Sequence, residues 1–364
     1  MLFRSRSDVA VDKRLPWNVV GTLEGIYGSE LNGPYYIQAN LPAAPTRYTG
    51  VDQRPRWPAG TNQINKNITG AYVISNANTG YSYNLSGSLL KQFDNGLFAK
   101  AAYAYGVSKN SVDPGSNANG NWNSNAISND PNNPAVGFSG FSSGHRVFLA
   151  LSYRREYFRA GATSVSLFTE GRTQGNTSYT YAGDANGDGA SGNDLLYIPK
   201  NTAEMNFQQY GVDASGRVVA TNPVRTFTIA EQQAAWEAYI VQDKYLSAHR
   251  GEYAARNAVF LPVQFKSDLG VTQEIFTQSG GKRNALAIRF DILNLDNLLN
   301  KNWGAGQRLV SNQPLTSQGA DASGALLYRL RNIVTDLLPP ATYQNTIAQS
   351  DVWRMQLGLR YTFK

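Results

Sequence analysis

The sequence contains no cysteine, few charged residues and no long hydrophobic run. Without cysteine the chain has neither disulfide bonds nor thiolate metal ligands, which argues against redox chemistry. Charged residues make up only 16% of the chain, and Asn, Ser, Gly, Thr and Tyr fill the difference, a mixture typical of strands and turns. No segment approaches the roughly 18 consecutive apolar residues of a transmembrane helix. Residues 1–20 also lack the apolar region of a secretory signal peptide.

The positive charge is spread along the chain. The net charge is +7 and the sequence pI is about 9.4, values that alone would suit a nucleic-acid partner. Lysine and arginine are scattered rather than gathered in a stripe, so we do not expect nucleic acid as a partner.

The end of the chain alternates strictly between apolar and other side chains. In "DVWRMQLGLRYTFK" every second residue is apolar: Trp353, Met355, Leu357, Leu359, Tyr361 and Phe363. A period of two is typical of a β-strand with one apolar and one polar face. Aromatic residues near both ends are typical of a strand that crosses a membrane between two interfaces.

Other segments alternate in the same way. The clearest form three pairs, at residues 81–93 with 97–109, 145–155 with 160–172, and 265–276 with 284–295. A short connection joins the members of each pair, and "DNG" at Asp94–Gly96 is a hairpin signal. Weaker strand candidates lie near residues 17–27, 33–41 and 67–76.

Strand length and loop length together indicate a membrane barrel. Each strand is about ten residues long, as a tilted transmembrane strand requires. Long polar segments separate the pairs, at approximately 109–144, 173–258 and 298–350. The polar faces carry charges that suit a wet lumen, among them Arg289, Asp291, Arg354 and Arg360. The sequence therefore predicts an all-β fold: an antiparallel transmembrane β-barrel, of which roughly eight to ten strands are present, with short periplasmic turns and long extracellular loops.

One of the long loops is predicted to carry a helix. Residues 228–250 begin with Thr228 and Glu231 in the T-x-x-E spacing of a capping box. A partial apolar stripe follows at Ala235, Tyr239, Tyr245 and Leu246. We expect this helix to pack within its loop; a cap over the barrel mouth or a contact with a ligand or partner is the alternative.

The segment from Asp184 to Asp194 begins with the D-x-N-x-D-G spacing of a calcium loop. Asp184, Asn186 and Asp188 would converge on one cation. Position twelve, where such loops place a bidentate glutamate, is Leu195, so Asp194 would have to substitute with a different geometry. The sequence predicts a weak calcium site at these three aspartates and Asn186, and a metal-free polar turn is the alternative.

Two glycine motifs lack the context that their chemistry requires. The G-x-G-x-x-G match at Gly187–Gly192 has neither a strand before it nor a helix after it. The G-x-S-x-G match around Ser142 precedes a strand rather than a helix. Since the chain has only two histidines, His145 and His249, we expect no catalytic triad and no enzyme activity.

Four segments resemble a known family. They are residues 78–109, residues 183–199 ("GDANGDGASGNDLLYIP"), residues 289–304 ("RFDILNLDNLLNKNWG") and the closing strand. Together they resemble the C-terminal part of TonB-dependent outer-membrane transporters, nearest to the Oar-like branch of Bacteroidetes and their relatives. The resemblance covers most of the chain from about Leu15 onward. It implies a location in the outer membrane of a Gram-negative bacterium, contact with outer-membrane lipid and lipopolysaccharide, and ligand transport energised by the inner-membrane TonB complex through a plug domain.

The family's barrel is larger than this sequence can supply. Plugged transporters have about 22 strands, and residues 1–364 show no plug domain and no TonB box. We therefore expect residues 1–364 to be the C-terminal part of a longer barrel, because an open sheet edge in lipid leaves backbone groups unpaired. Two alternatives stay open. One is a stand-alone small porin or adhesin-like barrel, and the other is a secreted β-rich module that binds glycans through Trp122, Trp236 and Trp303.

Overall fold

The computed structural model describes residues 4–115, 117–158, 160–279, 282–337 and 341–363. The fold is all-β, as predicted, and its main feature is a ten-stranded antiparallel sheet. Nine long strands form it: β1 (Arg4–Leu15), β2 (Val19–Glu30), β3 (Tyr81–Gln92), β4 (Leu97–Asn110), β5 (Gly144–Tyr157), β6 (Gly161–Thr173), β7 (Val263–Ser279), β8 (Lys282–Leu293) and β9 (Arg354–Thr362). A two-residue strand, Gly137–Phe138, pairs with the end of β4.

The long strands follow one another across the sheet in chain order. Each pairs antiparallel with its neighbour, from β1 beside β2 to β8 beside β9. Short connections join β1 to β2, β3 to β4, β5 to β6 and β7 to β8, so these connections share one end of the sheet. The long connections lie at the other end and span residues 31–80, 111–143, 174–262 and 294–353.

The alternation of short and long connections was predicted, but one long connection was missed. The strand candidates near 33–41 and 67–76 are not part of the main sheet. They form Gly33–Gln38 and Tyr72–Ala77, which pair with each other inside the connection 31–80. The prediction was wrong here because period two identifies a strand without identifying its partner.

Strand β1 was also missed by the sequence analysis. Its register pairs Val11 with Leu23 and Val9 with Gly25 of β2. Six of its twelve residues are charged, which hides the alternation. The candidate near 17–27 is confirmed as β2.

The two faces of the sheet differ sharply. Residues directly opposite in an antiparallel pair share a face, and the register carries one apolar face from β1 to β9. Its large side chains are exposed: Val9, Val11, Leu23, Leu85, Leu89, Tyr103, Val147, Leu149, Tyr153, Val165, Phe265, Ile275, Leu286, Ile288, Phe290, Leu357, Leu359 and Tyr361.

The opposite face carries the charges. Arg146 of β5 pairs with Glu170 of β6 at 2.7 Å, and Arg154 of β5 reaches Glu274 of β7 at 3.1 Å. On the same face, Arg289 of β8 pairs with Asp291 of the same strand at 2.8 Å. The ion pairs tie neighbouring and next-neighbouring strands together.

The turn between β3 and β4 depends on Gly96. This residue has φ of +87°, a conformation that side chains other than glycine rarely adopt. A Cβ atom at Gly96 would overlap the carbonyl oxygen of Arg154 in β5. The backbone N–H of Arg154 in turn donates to the carbonyl of Gly96 at 3.1 Å, so the turn is bound to the next hairpin.

The four long connections contain short strands and helices. The helices are α1 (Ala118–Asn123), α2 (Ile229–Gln242), α3 (Lys244–Ala248) and α4 (Leu295–Leu299), with 3-10 turns at Thr202–Glu204 and Gln349–Asp351. Besides the three short strands already described, the short strands are Thr46–Arg47, Pro55–Arg56, Asn176–Thr177, Tyr181–Ala182, Tyr197–Ile198, Asn206–Phe207, Tyr210–Val212, Val218–Val219, Arg225–Phe227, Glu252–Tyr253, Val259–Phe260, Gln307–Leu309, Leu315–Ala320, Leu326–Leu330, Asn332–Ile333, Asp336–Leu337 and Tyr343–Asn345.

Candidate functional site

The described parts of the four long connections pack together into what we call the connector layer. Its main hydrophobic core brings Tyr48 of the first connection together with Trp236 of the third and Tyr328 of the fourth. A second cluster joins Tyr36 and Trp122, which belong to the first and second connections. The sequence predicted these segments as polar loops, but burial of these aromatic residues gives the connector layer a core of its own.

Helix α2 is built as the sequence predicted. The Thr228 hydroxyl accepts from the N–H of Glu231, and the Glu231 carboxylate accepts from the N–H of Thr228. The hydrogen bond from the Thr228 N–H, together with those donated by Arg225 and by the Thr228 hydroxyl, lowers the pKa of Glu231 to about 2. The capping box therefore fixes the start of the helix.

The predicted helix ends earlier than its apolar pattern suggested. It breaks at Asp243, whose carboxylate accepts from the N–H groups of Tyr245 and Leu246, at 2.8 Å each, and so caps α3. The other carboxylate oxygen accepts from the buried hydroxyl of Tyr179 at 2.7 Å. One aspartate thereby joins two helices to the start of the third connection.

Two of the three tryptophans considered as ligand platforms are core residues. Trp236 is fully buried and stacks on Tyr239, and Trp122 is 4% exposed and lies near Tyr72. Neither can offer a ring face to a sugar in solution. Trp303 is the exposed member of the set.

A buried ionic cluster centres on Arg54. Its guanidinium donates to both carboxylate oxygens of Asp52, at 3.0 Å each, and to Asp194 at 3.2 Å. Tyr181 and Tyr253 donate their hydroxyls to Asp52, and the guanidinium lies 4.7 Å from the centre of the Tyr181 ring. Burial alone would lower the pKa of Arg54, but the two carboxylates raise it well above its ordinary value. The cluster fastens the first connection to the third.

The predicted calcium-loop residues lie close together, but they bond to the protein. Asp184 accepts from the N–H groups of Gly187 and Gly189, at 2.6 and 2.9 Å. The Asn186 amide donates to Asp188, whose other oxygen accepts from the N–H of Ala190. These bonds are those of a tight polar turn.

Asp194 is also occupied by protein partners. One oxygen accepts from the N–H of Ala185 at 2.7 Å and the other from Arg54. Within the described ranges no group of three or more His, Cys, Asp or Glu side chains is arranged to hold a metal ion. The geometry therefore does not present a formed calcium site, and calcium binding stays a prediction.

The negative charges of the carboxyl groups in this loop are nevertheless poorly balanced by positive charges. Burial raises the pKa of Asp188 to about 7, and the negative charge of Asp194 adds to this effect. Burial also raises the pKa of Asp194 to about 6, although Arg54 opposes the shift. The buried loop is short of positive charge.

The remaining sequence motifs are not brought together. The Ser142 hydroxyl accepts from the N–H of Ser108 at 3.2 Å. His145 bonds to Tyr103 at 2.7 Å, and His249 bonds to Glu252 at 3.0 Å. The Gly187–Gly192 match lies within the polar turn, where Gly187, Gly189 and Gly192 have positive φ.

A polar pocket of about 220 Å³ lies where the second, third and fourth connections meet. Its buried lining includes Asn121, Asn125, Ser178, Thr180 and Arg256. None of these residues was singled out from the sequence, because they come from distant segments and have no common spacing.

Comparisons with known proteins gave no match for this chain. No family model, no curated protein and no solved structure matches it. No helix in the part of the chain that the structure describes is long and apolar enough to span a membrane. The structure thus defines the class as an all-β protein built on one large antiparallel sheet.

Proposed function

We propose that this chain forms part of the transmembrane β-barrel of a TonB-dependent transporter in the outer membrane of a Gram-negative bacterium. The observation that carries the proposal is the exposed apolar face of the sheet. Soluble proteins rarely expose a contiguous apolar patch of more than a few hundred Å², because the cost in water is too high. A face of aliphatic and aromatic side chains across nine strands is suited to lipid.

The charged face supports the same proposal. A barrel that turns its apolar face to lipid turns its charged face to the lumen, and the ion pairs of Arg146, Arg154 and Arg289 line that side. A ligand released from the connector layer would pass along this polar surface. TonB would supply the energy through a plug domain, and the connector layer would face lipopolysaccharide outside the cell.

The sheet edges support a larger assembly. Among the described residues β1 pairs only with β2, and β9 only with β8. In hydrocarbon each unpaired N–H and C=O would cost several kcal/mol, so the edges require further strands. We propose that these strands belong to the same transporter.

Paired variants on β9 test the membrane placement. Leu357 on the apolar face and Gln356 on the charged face are adjacent and both exposed. We expect Leu357→Lys to reduce integration into outer membranes severely, since a lysine at the lipid midplane costs about 2–4 kcal/mol. The control, Gln356→Lys, should integrate normally. Equal behaviour of the two variants in membrane extraction assays would argue for a protein that works in water.

The size of the native protein separates the transporter from the stand-alone barrel. Outer membranes of the source cells can be probed with an antibody against the exposed segment 353–363. We expect a heat-modifiable band well above the 39.8 kDa of this chain. A heat-modifiable band at 39.8 kDa would favour the porin-like alternative, and a band in the soluble fraction would favour the secreted module.

A further inference from the structure

A groove of about 590 Å³ crosses the apolar face of the sheet from β1 to β5. Small residues on three of its strands, Gly21, Gly87 and Ala101, leave the space open. The larger side chains along it are aliphatic or aromatic: Val11, Leu15, Leu23, Leu89, Tyr103 and Val147. Neighbouring strands lie about 4.8 Å apart, so a groove across five strands is about 19 Å long. This shape and lining suit one extended hydrocarbon chain.

Two glycines keep the groove open. A Cβ atom at Gly21 would lie 3.2 Å from Leu15 Cδ1 and 3.5 Å from Leu89 Cδ2. A Cβ atom at Gly87 would lie 3.3 Å from Leu23 Cδ2. Longer side chains at these positions would therefore enter the space between the leucines. Glycine within a strand often marks a place where a ligand approaches closely.

Lys13 lines the β1 end of the groove and is exposed. Its neighbours across the sheet are Gly21 of β2 and, beyond it, Leu89 of β3, which places the lysine on the apolar face. Among the described residues Lys13 has no hydrogen-bonding or ionic partner. A free ammonium group at the end of an apolar groove suits a ligand with a hydrocarbon chain and a negatively charged head.

Positive charge on the apolar face collects at the end of the sheet with the short connections. Among the side chains that the structure describes, Lys13, Lys91 and Arg155 lie at this end of β1, β3 and β5, and Lys109 lies at the other end of β4. The register places every acidic residue of the nine long strands on the charged face. The short connections add a single acidic residue, Asp94. A negatively charged headgroup at this end would therefore meet cations and little repulsion.

Aromatic side chains mark the same end of the sheet. Trp17, in the connection from β1 to β2, is 84% exposed, and Phe158, in the connection from β5 to β6, is 92% exposed. Tryptophan is enriched at membrane–water interfaces, and lysine extends its ammonium group from apolar surface towards the headgroups. The end of the groove at Lys13 thus suits the level of lipid phosphates.

We propose that the groove holds one acyl chain of an anionic glycerophospholipid, and that Lys13 pairs with the phosphate of its headgroup. The inference rests on the proposed function, which turns the apolar face to lipid and the short connections to the periplasm. Lipopolysaccharide is not the proposed ligand, because the proposed orientation puts it beside the connector layer, at the opposite end of the sheet. The groove accepts the chain, and the lysine supplies the preference for an anionic headgroup.

Matched lipids test the headgroup requirement. The full-length protein is purified from outer membranes in a non-ionic detergent, and native mass spectrometry measures the binding of phosphatidylglycerol and of phosphatidylcholine with the same acyl chains. We expect phosphatidylglycerol to bind at least fivefold more tightly, because the choline group cancels the charge of the phosphate. Equal binding of the two lipids would overturn the proposal. Stronger binding of purified lipopolysaccharide than of phosphatidylglycerol would overturn it as well.

Lysine variants locate the headgroup. Lys13→Gln should weaken phosphatidylglycerol binding about fivefold, as expected for one lysine near an anionic surface, and should leave phosphatidylcholine binding unchanged. Lys109→Gln is the matched control, because Lys109 lies on the same face at the other end and its ammonium group is 4.4 Å from the centre of the Phe138 ring. This control should bind phosphatidylglycerol as the parent does. If the two variants bind it equally, the assignment of Lys13 is wrong.

Glycine variants locate the acyl chain. Gly87→Leu places a side chain in the groove, whereas Gly25→Leu places the same side chain on the same face outside the lining, with its Cβ 3.5 Å from Leu85 Cδ2. We expect at least fivefold weaker binding of both lipids by Gly87→Leu and parent-like binding by Gly25→Leu. Heat-modifiability on a gel checks that each variant is folded. Equal lipid binding by the two folded variants would show that the chain does not use the groove, and if Gly87→Leu does not fold, Lys13→Gln decides.

The failures of the two proposals are distinguishable. If Gln356→Lys integrates normally, Leu357→Lys does not, and phosphatidylglycerol is not preferred, only the lipid site is rejected. Equal integration of the two β9 variants would reject the membrane placement, and the lipid site with it.

Discussion

Arg54 and Asp194, which belong to different long connections, form an ion pair of 3.2 Å from which water is almost completely excluded. The second partner, Asp52, lies two residues from Arg54 and holds the guanidinium by two parallel hydrogen bonds. One cation is thereby shared by two buried carboxylates that the fold brings together. The pairing explains how polar segments distant in sequence become one packed layer.

Removing Arg54 should destabilise the connector layer strongly. Arg54→Met leaves Asp52 and Asp194 buried without a counter-charge, and we expect a loss of about 3–5 kcal/mol in the free energy of unfolding. Arg225→Met is the control, because its pair with Glu231 is exposed and should contribute under about 1 kcal/mol. Urea unfolding followed by tryptophan fluorescence measures both. If both variants lost under about 1 kcal/mol of unfolding free energy, water would have access to the cluster around Arg54.

Stability should fall as the pH rises through the range of the loop carboxyls. Asp188 and Asp194 have pKa values of about 7 and 6 in the fold, above the ordinary 3.8, so the folded state holds protons that the unfolded chain has released. The folded state is therefore favoured at low pH, and this contribution is lost between about pH 4 and 7. We expect a lower melting temperature at pH 8 than at pH 5.

The variant Asp188→Asn tests whether the buried carboxyl groups cause this loss of stability with rising pH. Asp188→Asn removes the group with the higher pKa and should flatten the decline between pH 6 and 8. A control substitution at Asp213, a partly exposed aspartate whose pKa is lowered by hydrogen bonds from Ser215 and Arg217, should leave the decline in place. A melting temperature independent of pH in the parent protein would contradict the burial of these carboxyls.

Calcium, if it binds the Asp184–Asp194 loop, should offset the missing positive charge. We expect millimolar calcium to raise the melting temperature at pH 7.5 more than the same concentration of magnesium does. The effect should be smaller at pH 5, where Asp188 and Asp194 are protonated. No calcium effect in the parent, or an equal effect in Asp188→Asn, would favour the metal-free turn.

The turn at Gly96 should not tolerate a side chain. Gly96→Ala places a Cβ against the Arg154 carbonyl and requires a left-handed conformation, which alone costs about 1–2 kcal/mol. Gly60→Ala is the matched control, with φ of +79° and no atom within 4 Å of the added Cβ. We expect the Gly96 variant to lose clearly more unfolding free energy than the control. Equal losses would mean that the hairpin shifts to make room.

The long strands were predictable where alternation was clear. The segments at 81–93, 97–109, 145–155 and 284–295 are observed within a few residues as β3, β4, β5 and β8, because period two directly reports the two faces of a strand. Helix α2 was predictable for a similar local reason, since its capping box lies within four residues. Strand β1 was missed because charges dominate its composition.

The candidate site was much less predictable. The aspartates at 184, 188 and 194 were identified as a local motif, but their partner Arg54 lies in another connection and has no spacing relationship to them. Asn121 and Arg256 likewise meet only in the folded chain. Trp122 and Trp236 were considered as glycan-binding residues under one alternative, and they are buried. The sequence does not distinguish a polar loop from a polar segment that encloses a core.

The sequence alone thus determined the all-β class, the two-faced strands and the alternation of short and long connections, since each depends on neighbouring residues. Tertiary structure alone decided that the long connections form one packed layer. It also decided which charges are paired and which polar side chains line the pocket between the connections. Those outcomes depend on contacts between residues more than a hundred positions apart, such as Arg54 with Asp194, and no local pattern encodes such contacts.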